Sequence, residues 1–67
     1  MRTADRLLLS ASLPRAEARA LLASALGVTR ERLIAFPETE VPPPAQAAYE
    51  ALVTRRREGE PLAYLLG

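Results

Sequence analysis

Cysteine, histidine, lysine, asparagine and tryptophan are all missing from this 67-residue sequence. Without cysteine or histidine, the chain can form neither a disulfide nor a zinc finger. Catalysis by a cysteine or histidine nucleophile–base pair is excluded for the same reason. The three glycines are isolated from one another, so no glycine-rich loop is available to hold a phosphate or a cofactor. Packing alone must therefore hold the core together.

The charge balance is close to neutral. Nine arginines stand against eight acidic residues, which leaves a net charge of +1. Domains that bind nucleic acid usually have a strongly basic face, so we expect no direct contact with nucleic acid. The sequence has neither a run long enough to span a membrane nor the apolar stretch of a signal peptide. We therefore expect a cytoplasmic protein, a monomer, that does not contact membranes.

The composition favours helix. Alanine and leucine supply 25 of the 67 residues, and β-branched residues only eight. No segment alternates apolar and polar residues, so no strand is predicted. A chain of this length buries one small core, which predicts a single domain over residues 1–67.

Apolar residues recur at the spacing i, i+3, i+4, i+7 in two segments on either side of Pro14, and each segment predicts an amphipathic helix. The first helix has Thr3 as its N-cap and ends before Pro14, which suits the first turn of the second helix. Gly27 is predicted to end the second helix in the left-handed conformation. The apolar positions are Ala4, Leu7, Leu8 and Ala11, then Ala18, Leu21, Leu22 and Ala25.

Two further helices follow. A short third helix begins after its N-cap Thr29 and ends at Pro37. The fourth begins at Pro43 or Pro44 and ends at Gly59, and the residues after it form one more short turn. The sequence therefore predicts an all-α fold: a small bundle of four helices plus a short C-terminal helical turn.

The apolar faces of these helices predict one core. Its predicted members are Leu7, Leu8, Leu21, Leu22, Leu26, Leu33, Phe36, Tyr49, Leu52 and Val53. Ile34 is expected to pack on a neighbour as well, because a helix as short as the third is not stable alone. Tyr49 and Tyr64 could stack on a base or a substrate ring, but in a domain with so few aromatic residues we interpret both as core anchors.

The run Arg55, Arg56 and Arg57 is the only charge cluster, and it has two interpretations. It could dock an acidic or phosphate-bearing partner. It could equally be a helix C-terminus whose positive charge suits the helix dipole, partly paired with Glu58 and Glu60, with Arg56 and Glu60 at the spacing i, i+4. The residues alone favour the second interpretation.

Two other groups of residues suggest chemistry only weakly. Glu38 and Glu40 could ligate a cation or act as acid and base, but no further ligand type is nearby, so we interpret them as part of a solvated loop. Pro42–Pro44 could be a polyproline ligand, although ending a loop before a helix explains it better. We therefore predict no catalytic, cofactor-binding or metal-binding residue, and a small helical module for protein interaction.

The last thirteen residues have a more specific pattern. Arg55 to Gly67 closely resembles the signature R-R-x-x-G-E-P-x-A-Y-x-x-G, which ends the N-terminal domain of the HemK/PrmC family. Upstream, Pro14 to Leu22 resembles the family's second helix, P-R-x-E-A-x-x-L-L. The resemblance extends over nearly all of the chain.

The resemblance implies a function. Members of this family are S-adenosylmethionine-dependent methyltransferases that methylate the glutamine of the Gly-Gly-Gln motif in class 1 peptide chain release factors. Their catalytic domain is a separate Rossmann-like fold with a glycine-rich cofactor loop and an N-P-P-Y motif, and this chain contains neither. Val41–Pro44 has no asparagine and no aromatic residue, so it is not a version of N-P-P-Y. The family's catalytic half also contains a P-E-T-E run, but the one at 37–40 lies between helices here, so we interpret that match as coincidence.

We therefore expect an N-terminal substrate-recognition domain whose partners are class 1 release factors and the catalytic domain of the same chain. S-adenosylmethionine would bind that catalytic domain, and no cofactor would bind this fragment, which we expect to be inactive alone. The resemblance makes Arg55, Arg56 and Arg57 the candidate docking residues. The alternative is a free-standing helical adaptor with no catalytic half.

Overall fold

The computed structural model describes residues 2–66, and it confirms the predicted all-α bundle, with a fifth short helix as the C-terminal turn. Within residues 2–66, no helix is both long and apolar enough to cross a lipid bilayer. The elements are β1 (Arg2–Thr3), α1 (Ala4–Ser10), α2 (Arg15–Leu26), α3 (Arg30–Ala35), β2 (Glu40–Val41), α4 (Pro43–Arg57) and α5 (Leu62–Leu65).

A short antiparallel ladder pairs the N-terminus with the connector that precedes α4. Arg2 lies opposite Val41, and Thr3 lies opposite Glu40. The prediction that the chain contains no strand is wrong here. A strand of two residues is too short to show the alternating pattern that signals one, and its pairing depends on a contact between segments that are far apart in the chain.

The same connector caps the start of α1. The backbone N–H of Ala4 donates to the carbonyl of Thr39 (2.8 Å), and that of Asp5 donates to the carbonyl of Pro37 (2.9 Å). Thr3 occupies the predicted N-cap position, but its hydroxyl donates to Oδ1 of Asp5 (2.7 Å) and accepts no helix N–H. Carbonyl groups from the connector therefore satisfy free N–H groups that a cap side chain usually satisfies.

The turn between α2 and α3 follows the local signals. Gly27 adopts a φ of 73°, a left-handed conformation that glycine reaches without a steric penalty. Beyond it, the N–H of Val28 donates to the carbonyl of Ala23 (3.0 Å), which closes the end of α2. The hydroxyl of Thr29 then accepts the N–H of Arg32 (3.2 Å) and caps α3 as predicted.

The core is centred on α2, which packs against α1, α3 and α4. Leu21 and Leu22 are fully buried, and Tyr49 of α4 is 3% exposed. Six of the predicted core residues are buried and three are half-buried against them. The buried six are Leu7, Leu8, Leu21, Leu22, Leu33 and Tyr49, and the half-buried three are Leu26, Leu52 and Val53.

Phe36 is the one residue of the predicted core that lies outside it. Its side chain is 56% exposed, and that of Ile34 is 61% exposed. The helix ends at Ala35, so α3 has fewer than two turns and turns only one side chain, Leu33, fully into the core. The expectation that Ile34 and Phe36 pack on a neighbour within the domain is therefore wrong.

Tyr64 is also exposed, at 74%, although the sequence suggested a core anchor. Helix α5 has only four residues, and it packs on the core through Leu62 and Leu65 instead. Val41 is a large, fully buried side chain that the sequence did not predict. Its burial depends on the β1–β2 pairing, for which the sequence carries no local signal.

Replacing Leu22 by alanine should lower the free energy of unfolding by about 2–5 kcal/mol, because it removes buried methyl groups and leaves a cavity beside α1 and α4. Urea unfolding followed by circular dichroism measures the change. The matched control is Leu9→Ala, which changes a side chain that is 71% exposed and should alter stability by less than about 0.5 kcal/mol. Equal unfolding midpoints for the two variants would place Leu22 outside the core.

The pKa of Asp5 should rise towards 3.8 in a Thr3→Val variant. In the native protein this pKa is lowered chiefly by the hydrogen bond from the Thr3 hydroxyl. Because the folded-state pKa lies below the unfolded one, the stabilisation is fully present above the unfolded pKa and is lost as the pH falls through the folded value. An NMR titration of the Asp5 carboxyl in both proteins measures the shift, and identical titration curves would remove Thr3 as its cause.

Candidate functional site

The three arginines of the candidate docking cluster occupy the last turn of α4. The helix ends at Arg57, and the N–H of its C-cap Glu58 donates to the carbonyl of Thr54 (3.0 Å). Gly59 follows with a φ of 105°, which lets the chain reverse, and the N–H of Glu60 then donates to the carbonyl of Arg55 (3.2 Å). The reversal brings Glu60 back beside the end of the helix that it has just left.

Arg55 is paired with Glu60. Its Nη2 lies 2.8 Å from Oε2 of Glu60, and its Nε lies 3.1 and 3.0 Å from the two carboxylate oxygens. This hydrogen bonding, followed by the charge of Glu60, raises the pKa of Arg55 above its ordinary value. Both side chains are exposed, so the pair contributes little to stability.

Arg56 joins three parts of the domain. Its Nε donates to Oε1 of Glu17 in α2 (2.7 Å), and its Nη1 donates to the backbone carbonyl of Glu60 (3.1 Å). The side chains of Arg56 and Glu17 are only 30% and 26% exposed. Arg56 therefore contacts Glu60 as expected, but it binds the backbone carbonyl and not the side chain. The reason is that the helix ends before Glu60, and the carboxylate of Glu60 turns to Arg55.

Arg57 is the member of the cluster with no ion pair among residues 2–66. It lines a groove between α1 and α4 with a volume of about 210 Å³. Apolar side chains form the floor of this α1–α4 groove, and two arginines lie at its rim. The floor consists of Leu7, Ala11, Tyr49 and Val53, and the rim arginines are Arg2 and Arg57.

The other polar groups of the α1–α4 groove are already bonded. The hydroxyl of Ser10 donates to the carbonyl of Leu7 (3.1 Å), and that of Thr54 donates to the carbonyl of Glu50 (3.0 Å). The carboxylate of Glu50 accepts a hydrogen bond from Nε2 of Gln46 (3.1 Å). The two rim guanidinium groups form no ion pair among residues 2–66, and the groove also contains the exposed carboxylate of Glu50, which keeps its negative charge.

Tyr49 anchors the floor of the groove. Its hydroxyl donates to the carbonyl of Leu7 over a long 3.4 Å, across the interface of α1 and α4. Burial, and then the charge of Glu50, raises its pKa, so the hydroxyl is neutral near pH 7. The side chains of the floor are thus uncharged, while Ser10, Glu50, Thr54 and the two arginines make much of the remaining lining polar.

The remaining candidates lie apart from this groove. Glu40 lies in β2, and Glu38 lines a shallow depression with Phe36 on the surface of the connector. Among the described residues, no three carboxylates come close enough to hold a metal ion. Pro42 is the N-cap of α4, and the two prolines after it open the helix, which agrees with their structural interpretation.

Comparison with known proteins places this domain. A model described as the PrmC N-terminal domain matches residues 1–67. The chain belongs to the PrmC N-terminal domain family. No solved structure matches it.

Several relatives of this PrmC N-terminal domain carry the same name, release factor glutamine methyltransferase. The chain is 48% identical to the protein of Bordetella pertussis over 61 residues, which is 91% of this chain and 23% of that protein. It is 45% identical to the protein of Burkholderia pseudomallei over 65 residues, which is 97% of this chain and 23% of that protein. It is 43% identical to the protein of Escherichia coli over 54 residues, which is 81% of this chain and 20% of that protein. The chain thus spans about a fifth to a quarter of the length of these relatives.

The signature by which the sequence resembles this family has a structural task in the domain. Gly59 reverses the chain, Glu60 returns to Arg55 and Arg56, and Pro61 is the N-cap of α5. The motif therefore closes α4 and directs the chain into the last helix. Of its arginine run, only Arg57 is left facing the α1–α4 groove.

Removing the Arg56 side chain should cost stability. An Arg56→Ala variant loses its charged hydrogen bonds and leaves Glu17 half-buried without its partner, so we expect a loss of about 1–2 kcal/mol after allowing for partial solvent exposure. The matched control is Arg55→Ala, which removes an exposed pair and should leave the unfolding midpoint nearly unchanged.

A double-mutant cycle with Glu17→Gln isolates the contact between Arg56 and Glu17. Urea unfolding of the four proteins should give a favourable coupling energy. A coupling of zero, or a larger loss for Arg55→Ala than for Arg56→Ala, would contradict the role of Arg56 as the tie between α4 and α2.

Proposed function

We propose that this chain is the release-factor-recognition domain of an S-adenosylmethionine-dependent protein-glutamine methyltransferase. The substrate is the glutamine of the Gly-Gly-Gln motif in class 1 peptide chain release factors, and the enzyme acts in the cytoplasm as a monomer. The observation that carries the proposal is the match to the PrmC N-terminal domain over residues 1–67, together with relatives named release factor glutamine methyltransferase.

The size of the relatives supports a division of labour. The chain accounts for 23% of the Bordetella pertussis protein, so most of that relative lies in other parts. We assign the cofactor site and the methyl transfer to those parts. S-adenosylmethionine, bound there, supplies the methyl group, while the reaction needs groups that hold the glutamine amide nitrogen in line with it.

The properties of the domain fit a recognition role. Its interior is filled by leucine, alanine, valine and one tyrosine, and the buried set contains no charged side chain. Most of its charged side chains are exposed, where a protein partner can reach them. Binding energy from such a remote surface can be used to orient the reacting glutamine, which raises the rate for an intact protein above that for a short peptide.

Separating the two functions tests the proposal. Calorimetry with S-adenosylmethionine should show no binding by residues 1–67 alone. Deleting these residues from the full-length enzyme should leave the cofactor Kd within about twofold, while kcat/KM for intact release factor falls about tenfold or more because a docking contact is lost.

The matched control is a short peptide that contains Gly-Gly-Gln. It is too small to reach a second domain, so both enzymes should methylate it at similar rates. Cofactor binding by the fragment would place a cofactor site in the bundle. A truncated enzyme that methylates intact release factor at the full rate would remove the recognition role, and a full-length protein with no activity on release factors would reject the proposed substrate.

A further inference from the structure

One face of the domain combines unpaired arginines with apolar surface. Arg2 and Ser10 line both the α1–α4 groove and a neighbouring depression formed with Arg6 and Leu9, so the two are parts of one continuous surface. We call this surface, from Arg6 and Leu9 across Arg2 to Arg57, the arginine face. Among residues 2–66, none of its three arginines forms an ion pair.

The acidic groups near the arginine face reduce its positive charge without cancelling it. Glu50 lines the α1–α4 groove, and Asp5 precedes Arg6 on α1. The carboxylate of Glu50 is bonded to Gln46, and that of Asp5 accepts hydrogen bonds from the Thr3 hydroxyl and the N–H of Arg6. A face with three arginines and two carboxylates keeps a positive charge, although the domain as a whole is almost neutral.

The apolar part of the face is equally distinctive. Leu9 is 71% exposed, more than the other large aliphatic side chains that residues 2–66 expose, Ile34 and Leu66. A single exposed leucine is common on protein surfaces. Leu9 differs because it lies beside the α1–α4 groove, whose volume of about 210 Å³ exceeds that of one large side chain.

The arginine face is held in a defined geometry. Arg2 is paired with Val41, which is fully buried, and the first turn of α1 is bonded to the connector carbonyls at 37 and 39. The backbone of Arg57 is held in the last turn of α4. The two preceding residues, Arg55 and Arg56, pair there with Glu60 and Glu17. Both rim arginines therefore start from ordered backbone, which lowers the entropy that a partner must overcome.

We infer that the arginine face is the surface on which the enzyme holds its protein substrate. The segment it fits is acidic and carries a large apolar side chain: that side chain seats in the α1–α4 groove, and flanking carboxylates pair with Arg2 and Arg57. Complementary charge of this kind guides encounter and fixes register. The inference rests on the proposed function, and it names the contact by which that function is carried out.

Charge reversal in the full-length enzyme tests the inference. In an Arg2→Glu/Arg57→Glu variant, KM for intact release factor should rise about tenfold or more at low salt, because attraction is replaced by repulsion. The wild-type KM should increase with salt, and that of the variant should not. The value of kcat, the cofactor Kd and the activity on a short Gly-Gly-Gln peptide should stay unchanged.

Two further variants provide the controls. Arg30→Glu reverses one charge, half the change of the double variant, at an exposed position of α3 that does not line the arginine face, and it should leave KM within about twofold. Leu9→Ser should raise KM about threefold to tenfold at every salt concentration, because the lost contact is apolar. Since Leu9 is exposed, its loss should not change the unfolding midpoint.

The outcomes separate the inference from the proposed function. A wild-type enzyme that does not methylate release factors defeats the proposed function. A wild-type enzyme that does, with reversed variants of unchanged KM, overturns the arginine face as the docking site. A reversed variant with altered cofactor Kd, peptide activity or oligomeric state also overturns it, since the face would then contact the catalytic domain or a second copy.

Discussion

The apolar face of α2 is covered on three sides, by α1, α3 and α4, and the rest of the domain depends on that contact. With no cysteine to form a disulfide, the fold is stabilised by burial of the apolar side chains around Leu21 and Leu22. Helices α1 and α3 are too short to be stable alone in water and α4 is marginal, so each depends on its packing against α2. The elements consequently form together or not at all, which is typical of very small domains.

A second constraint links the two halves of the chain. The connector before α4 supplies carbonyl groups to the first turn of α1 and a strand partner to Arg2. This arrangement buries Val41, orders the N-terminus and sets the spacing between α1 and α4. The groove between those helices therefore depends on the packing, because both helices contribute to its floor. One of its two rim arginines, Arg2, lies in the N-terminal strand that the connector holds in place.

The arginine run shows how identical side chains acquire different tasks. Arg55 and Arg56 are used within the domain, where they hold Glu60 and Glu17 and so close the end of α4. Arg57 lies one position further around the helix and faces α1 instead. The two interpretations of the run are thus compatible, because each applies to different members of it. The docking role of Arg57 stays a prediction.

The sequence by itself determined the helical class, the number of helices and most of their ends, because these depend on signals within a few residues: Pro14, Gly27, Thr29 and the prolines before α4. It also carried the signature of the family. Only the tertiary structure decided the β1–β2 pairing, the exposure of Phe36 and Tyr64, and the partner of Arg56. The pairing and the partner of Arg56 join residues far apart in the chain, and the exposure depends on how far each short helix extends over its neighbour, so no local pattern records them.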